Sequence, residues 1–345
     1  MRVAVVDIGT NSTRLLVADV DADSGSVEEL ERRSTVTRLG HGVDASGSLD
    51  DDAMQRVFDT LADYRAAIDR LGATANLAVL TSAVRDAANG ARFAQRVRDD
   101  FQLDAKVLSG DEEAQLTFLG AMTGRPEHEP RDSGHADAGD GDRDEDEDED
   151  EDEDTVGDGE DDDDDAPPTV VIDIGGGSTE FVVGVGRTAR FHTSLRAGVV
   201  RMSERHIHSD SPDPDELQAL ALDVRRTLLD GLPPDERAAV KRGIAVAGTA
   251  TSAAAIDQEL DPYDPARVHG YRLQLATVEM LLARLADMDE QQRRNVVGLH
   301  PDRAPTIVAG MILLEEAMRA FELEHVEVSE HDILYGGALQ LAGAQ

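Results

Sequence analysis

Two short apolar runs set the frame of this chain. Residues 3–6 lead into Asp7, Ile8 and Gly9, and residues 170–172 lead into Asp173, Ile174 and Gly175. A turn of small residues follows each run, and then a second apolar run, 15–20 in one case and 181–185 in the other. The pattern predicts a strand–turn–strand unit at the head of each half. Apolar positions then recur at helical spacing over 53–71, 90–101 and 216–229. Near the C-terminus, residues 305–321 are apolar on almost every face (Ile307, Val308, Met311, Ile312, Leu314, Met318). That predicts a deeply buried helix, expected at the seam between the halves.

The two heads are copies of one another. Asp7-Ile8-Gly9-Thr10-Asn11-Ser12-Thr13-Arg14 is echoed by Asp173-Ile174-Gly175-Gly176-Gly177-Ser178-Thr179-Glu180. A fainter echo follows at nearly the same separation. The Thr81-Ser82-Ala83 and Gly248-Thr249-Ala250 steps each end a β-rich run and open a helix. Two elements repeated at one separation indicate a duplicated domain. The expected fold is α/β, with an N-terminal domain over 1–124, an acidic insertion over 125–168, and a C-terminal domain over 169–345 whose last helices lie at the interdomain seam.

Composition sharpens this picture. Residues 125–167 hold 24 Asp/Glu against three Arg, so this stretch alone accounts for −21 of the chain's net charge of −39. So dense a charge run with almost no apolar residues is expected to be disordered. The remainder is itself acidic and uses 31 Arg chain-wide but only two Lys. This balance suits high ionic strength, where the Debye length shrinks to about 3 Å at 1 M salt, and we read it as the mark of a salt-loving organism. The absence of Cys excludes disulfides, thiolate metal sites and Cys nucleophiles. Few aromatics argue against base-stacking platforms, so no nucleic-acid partner is expected. No apolar run approaches membrane-spanning length, and Asp7 and Gly9 interrupt the first run as no signal peptide would. A cytoplasmic protein without a membrane partner is expected, and a homodimer is allowed for.

The repeated turns offer backbone N–H groups to a phosphate. Facing one another across a cleft, Gly9, Asn11 and Ser12 on one side and Gly175, Gly176, Gly177 and Ser178 on the other would grip one phosphate chain. The turns differ at one matched position. Arg14 is expected to contact phosphate oxygens directly, whereas Asp173 and Glu180 need a cation between themselves and phosphate. Mg²⁺, or Mn²⁺ in its place, is the expected cofactor. Ser109 and Glu112 form a capping box, which occupies Glu112 and leaves Glu113 free to face the cleft. Arg85, just inside a helix start, is a candidate phosphate contact, with a salt bridge to Asp86 or Asp111 as the alternative. Residues 187–208 carry five Arg, three His and one Glu. Arg196, Arg201 and Arg205 are therefore candidates for a polyanion track, the alternative being structural ion pairs.

These motifs, with Thr81-Ser82-Ala83-Val84-Arg85-Asp86-Ala87, Ser109-Gly110-Asp111-Glu112-Glu113-Ala114 and Gly248-Thr249-Ala250-Thr251, resemble the exopolyphosphatase/guanosine pentaphosphate phosphohydrolase family in family order. The resemblance spans both halves and implies two duplicated actin-like domains of the sugar-kinase and heat-shock ATPase superfamily, with an interdomain cleft. The chain lacks the C-terminal helical extension of longer members, and so resembles the short two-domain exopolyphosphatases. The resemblance places the water-activating base on the Glu pair, of which Glu113 is the choice; Arg85 is taken as the second catalytic residue, holding charge on the transferring phosphate. It implies inorganic polyphosphate as substrate, trimmed by metal-dependent release of terminal orthophosphate; Asp7 of the first motif, and Arg196 and Arg201 of the arginine-rich stretch, are expected among the substrate contacts. Guanosine pentaphosphate is the alternative substrate. A small-molecule kinase and a non-catalytic polyphosphate sensor are the alternatives outside it.

Overall fold

The computed structural model describes residues 1–123, 167–186 and 188–343; the acidic stretch expected to be disordered falls almost entirely outside them. Five strands form the first sheet: β1 (Arg2–Ile8), β2 (Ser12–Val20), β3 (Val27–Val36), β4 (Ala75–Leu80) and β5 (Ala105–Val107), in the order β3-β2-β1-β4-β5. Six form the second: β6 (Thr169–Ile174), β7 (Thr179–Val185), β8 (Thr188–Leu195), β9 (Arg242–Val246), β10 (Arg272–Gln274) and β11 (His325–Val328), in the order β10-β11-β9-β6-β7-β8. In each sheet an antiparallel three-strand meander continues into parallel strands. Read from β3 and from β8, the first five strands match, and β10 is an addition at one edge. The duplication seen in the sequence is thus a duplication of topology. The central strands β1 and β6 are buried along nearly their whole length, which is why they read as continuous apolar runs rather than alternating ones.

One face of each sheet is covered by helices of its own half. On the first sheet these are Asp51–Leu71, entered through an Asp50 cap, and Gly90–Phe101, packed through Val57, Leu61 and Phe93. On the second they include Pro214–Gly231 and Ile307–Ala320. The apolar 305–321 segment is therefore a helix, but not the seam helix expected from its hydrophobicity. It fills the centre of the C-terminal core between helices of its own half, and only its first turn reaches the cleft.

The opposite faces are covered by an exchange. The Gly110–Met122 helix leaves β5 and packs on the second sheet, where Ala114 and Phe118 meet Val171 and Val182. The Ile333–Ala342 helix leaves β11 and packs on the first sheet, where Leu334 and Ala338 join Val3, Val5 and Leu16. Each half thus contributes its last helix to the other, and the two exchanged helices cross at glycines. A Cβ on Gly120 would overlap the carbonyl oxygen of Asp332, and one on Gly336 would overlap that of Leu116. Helix propensity alone gives Gly120→Ala a gain of about 1 kcal/mol. Because the obstacle is backbone, we expect the opposite sign, a loss of about 1–3 kcal/mol, read as a lower urea midpoint. A midpoint raised by the substitution would mean that the helices do not cross this closely.

Candidate active site

The two repeated turns meet face to face. In each, the amide of the first glycine donates to the serine carbonyl three residues on, Gly9 N to Ser12 O and Gly175 N to Ser178 O, both at 3.0 Å. Thr10 of the first turn lies against the second, so that a Cβ on Gly176 would come within 2.8 Å of the Thr10 Cβ. The Thr10 and Ser82 hydroxyls are hydrogen-bonded at 2.9 Å. Between the turns lies a cleft of about 120 Å³, lined by Asp7, Gly9, Asn11, Ser12 and Arg14 from one half and by Asp173, Gly175, Gly176, Ser178 and Glu180 from the other. Gly177 differs from expectation. It packs against Ser82 and Thr10, and its carbonyl accepts from Arg201 Nε at 2.8 Å, so it braces the turn rather than lining the cleft.

The exchange of helices delivers Glu113. Ser109 caps the Gly110–Met122 helix, and Glu112 completes the capping box by accepting from Ser109 N at 2.9 Å. Glu112 also pairs with Lys106 at 2.7 Å and is held near 2, chiefly by that contact. Glu113, one step round the helix, is buried on the cleft wall and accepts from Arg85 Nη1 at 2.8 Å. Arg85 also donates to the Leu108 carbonyl at 3.0 Å, so its partner is neither Asp86 nor Asp111. Burial, and then the charge of Glu180, push the Glu113 carboxyl well above the usual carboxylate range, while Arg85 pulls the other way.

Strand register accounts for the remaining acids. Asp7 faces Arg14 across β1–β2, and Asp173 faces Glu180 at the matching position of β6–β7. The first pair is an ion pair: Arg14 Nη2 lies 2.7 Å from Asp7 Oδ2. A second carboxylate, Asp332, takes Arg14 Nη1. Arg14 is thus already engaged by two carboxylates, contrary to the expectation of a free phosphate contact. The second pair has no such cation. Burial pushes both Asp173 and Glu180 up to about 7, with Asp173 adding to the shift of Glu180; hydroxyls rather than cations hydrogen-bond them, Thr117 (3.4 Å) on Asp173 and Ser178 and Ser194 (the latter at 2.7 Å) on Glu180.

Arg196 and Arg201 do not form a track along this cleft. Arg201 is buried and pairs with Asp44 and, at 3.2 Å, with Asp86; Arg196 reaches Asp86 at 3.3 Å; Arg205 holds Asp44 at 3.1 Å. The three guanidiniums clasp the C-terminal half to acids of the N-terminal half, which is the structural alternative weighed above.

Two residues of the site went unseen in the sequence. Arg303 lines the cleft beside Gly248 and is half-buried. Its Nη1 donates to Gly248 O (3.0 Å) and Ser252 Oγ (2.8 Å), and among the described residues no carboxylate pairs with it. The charge of Glu330 reaches it from a distance, but the guanidinium is not tied up in an ion pair as Arg14 is. Asp332 caps the last exchanged helix as Ser109 caps the first. The shared signal, a strand closing on a capped helix in each half, was present in the sequence but fell outside the repeat separation.

A model of the Ppx/GppA phosphatase family matches residues 16–131 and 164–339. The chain is 34% identical to Exopolyphosphatase 2 of Mycobacterium tuberculosis, over 99% of each protein. The crystal structure of a Ppx/GppA family member from Aquifex aeolicus is similar at 25% identity with a TM-score of 0.75, covering 99% of this chain and 97% of that one. That of an exopolyphosphatase-like protein is similar at 26% identity with a TM-score of 0.82, covering 99% of both. On that match and that identity over nearly its whole length, the chain belongs to the Ppx/GppA phosphatase family.

Proposed function

We propose that the chain is a cytoplasmic exopolyphosphatase, which hydrolyses the terminal phosphoanhydride of inorganic polyphosphate with Mg²⁺ or Mn²⁺ as cofactor. The observation that carries this reading is Glu113, a buried carboxylate held by Arg85 on the wall of a cleft between two backbone-amide turns. In the reaction, Glu113 takes a proton from water as the water oxygen bonds to the terminal phosphorus. The bond to the bridging oxygen breaks, and a chain shorter by one phosphate leaves as an anion. Phosphoryl transfer asks chiefly for positioning and charge stabilisation. The turn amides orient the terminal group, and Arg303 supplies a guanidinium that no carboxylate among the described residues pairs with directly.

The acids of the cleft fit a divalent cation. Asp7 Oδ1 is buried without a partner, and Asp173 and Glu180 are crowded and poorly compensated. Among the described residues no three acids or histidines converge tightly enough to enclose a metal ion. This suits Mg²⁺, which takes one or two carboxylates and fills its shell with water and substrate phosphate. Asp173 and Glu180 would hold it with Asp7 nearby, and it would supply charge neutralisation of the phosphate oxygens. Release of orthophosphate from polyphosphate, with guanosine pentaphosphate and ATP as comparison substrates, tests the reading. Loss of one charge-assisted hydrogen bond corresponds to about 1.5–3 kcal/mol, so Arg303→Gln is expected to raise the KM for polyphosphate about tenfold or more. An unchanged KM would remove Arg303 from the substrate contacts.

A neighbouring cavity of about 730 Å³ favours guanosine pentaphosphate as a second substrate. It shares Arg14, Gly248 and Arg303 with the cleft, and Leu260, Tyr263 and Val296 give it an apolar wall that a bare phosphate chain does not need. Higher kcat/KM on the nucleotide than on polyphosphate in the same assay would reverse the ranking.

A further inference from the structure

We propose that Asp332 is a positioning residue of this site: through Arg14 it holds Asp7 with one carboxylate oxygen turned toward the cleft. The inference rests on the cation reading given above and adds to it a residue 318 positions away from Arg14.

The geometry at Arg14 is lopsided. Nε and Nη2 both fall on the same oxygen of Asp7, Oδ2, at 2.8 and 2.7 Å. The other oxygen, Oδ1, is buried and makes no hydrogen bond. An arginine facing a single carboxylate ordinarily engages both oxygens with its planar fork. Here Asp332 Oδ2 takes Nη1, which ties the guanidinium from the far side and keeps the fork from closing on both oxygens of Asp7. Asp7 Oδ1 is thereby left for the cleft.

Asp332 is itself fixed from three directions. Its Oδ1 accepts from Leu334 N at 3.0 Å, capping the last helix, and Arg32 stands 3.9 Å behind Oδ2. Its carbonyl is pressed by the exchanged Gly110–Met122 helix at Gly120, where no side chain intervenes. The same helix carries Glu113 at its first turn. The crossed pair therefore presents the general base and the Arg14 anchor as one rigid body, so that the two sides of the cleft are set by a single packing contact. Burial alone would push the Asp332 carboxyl up, but Arg14 and Arg32 outweigh it and keep it below the ordinary range, consistent with a permanent charge.

Asp332→Asn separates this role from capping, because asparagine caps a helix about as well as aspartate. Its Oδ1 keeps the bond to Leu334, while its amide turns N–H groups toward a guanidinium that has only donors. The variant is expected to melt close to the wild type. Partners that orient metal-binding carboxylates change affinity by about 10–100-fold. Mn²⁺ binding, titrated by electron paramagnetic resonance without substrate, should therefore weaken about tenfold, and turnover at subsaturating Mg²⁺ should fall in parallel. Arg14→Gln should show the same defect or a larger one, and the double variant should match Arg14→Gln alone, since the relay is then already cut. Wild-type Mn²⁺ affinity in folded Asp332→Asn, or an effect that adds in full to Arg14→Gln, would overturn the inference and leave the cation reading standing. A wild-type protein that binds no Mn²⁺ would overturn both. Should the asparagine variant fail to fold, Asp332→Ser, which also caps, carries the same test.

Discussion

Glu113→Gln is expected to lose turnover by roughly 10²–10⁴-fold, the usual worth of a positioned general base, while polyphosphate still binds. The amide keeps an oxygen for Arg85 Nη1, now 2.8 Å from the carboxylate, so the side chain should stay in place. Stability should hold or rise, because the substitution removes a buried negative charge that Glu180 repels. Glu112→Gln is the control on the adjacent residue. Glutamine still completes a capping box, and the pair it gives up, with Lys106, is half exposed and worth well under about 1 kcal/mol. Phosphate release, equilibrium binding and thermal melting separate the outcomes. A dead Glu112→Gln beside an active Glu113→Gln would exchange the roles assigned to the two glutamates.

The second large effect falls on the acidic pair of β6–β7. Asp173→Asn and Glu180→Gln should each raise the Mg²⁺ needed for half-maximal rate at least tenfold, in line with the about 10–100-fold cost of disturbing even the outer partners of a metal site. The melting temperature supplies a readout with a distinctive sign. Without metal, replacing either acid by its amide relieves a burial strong enough to hold both carboxyls near 7, so the variants should melt no lower than the wild type. With Mg²⁺, the wild type should gain stability by mass action and the variants should not. Full wild-type activity in excess chelator would end the assignment of these residues to a cation.

How legible the site was depended on the sequence distance between partners. Both repeated turns could be read directly because each is closed by an amide and a carbonyl three residues apart, and a small-residue pattern dictates that geometry. The division of labour between Glu112 and Glu113 was readable for the same reason. A capping box spans one helical turn, and a neighbour about 100° further round must face elsewhere. Burial of residues 305–321 followed from hydrophobicity, but its place did not, since an apolar helix meets the same solvent exclusion in a domain core as at a seam.

By itself, then, the sequence determined the duplicated strand–turn–strand heads, the α/β class and the identity of the acids at the strand ends, all consequences of short-range backbone geometry and side-chain periodicity. The tertiary structure alone decided which charges are free. Arg14 meets Asp332 across 318 residues, and Arg201 meets Asp44 and Asp86 across 157 and 115. All 31 arginines carry the same formal charge in a linear reading. Arg14, Arg196 and Arg201 are directly paired with carboxylates, because the exchange of two helices and the docking of two sheets bring acids within contact of them, whereas Arg303 hydrogen-bonds a carbonyl and hydroxyls.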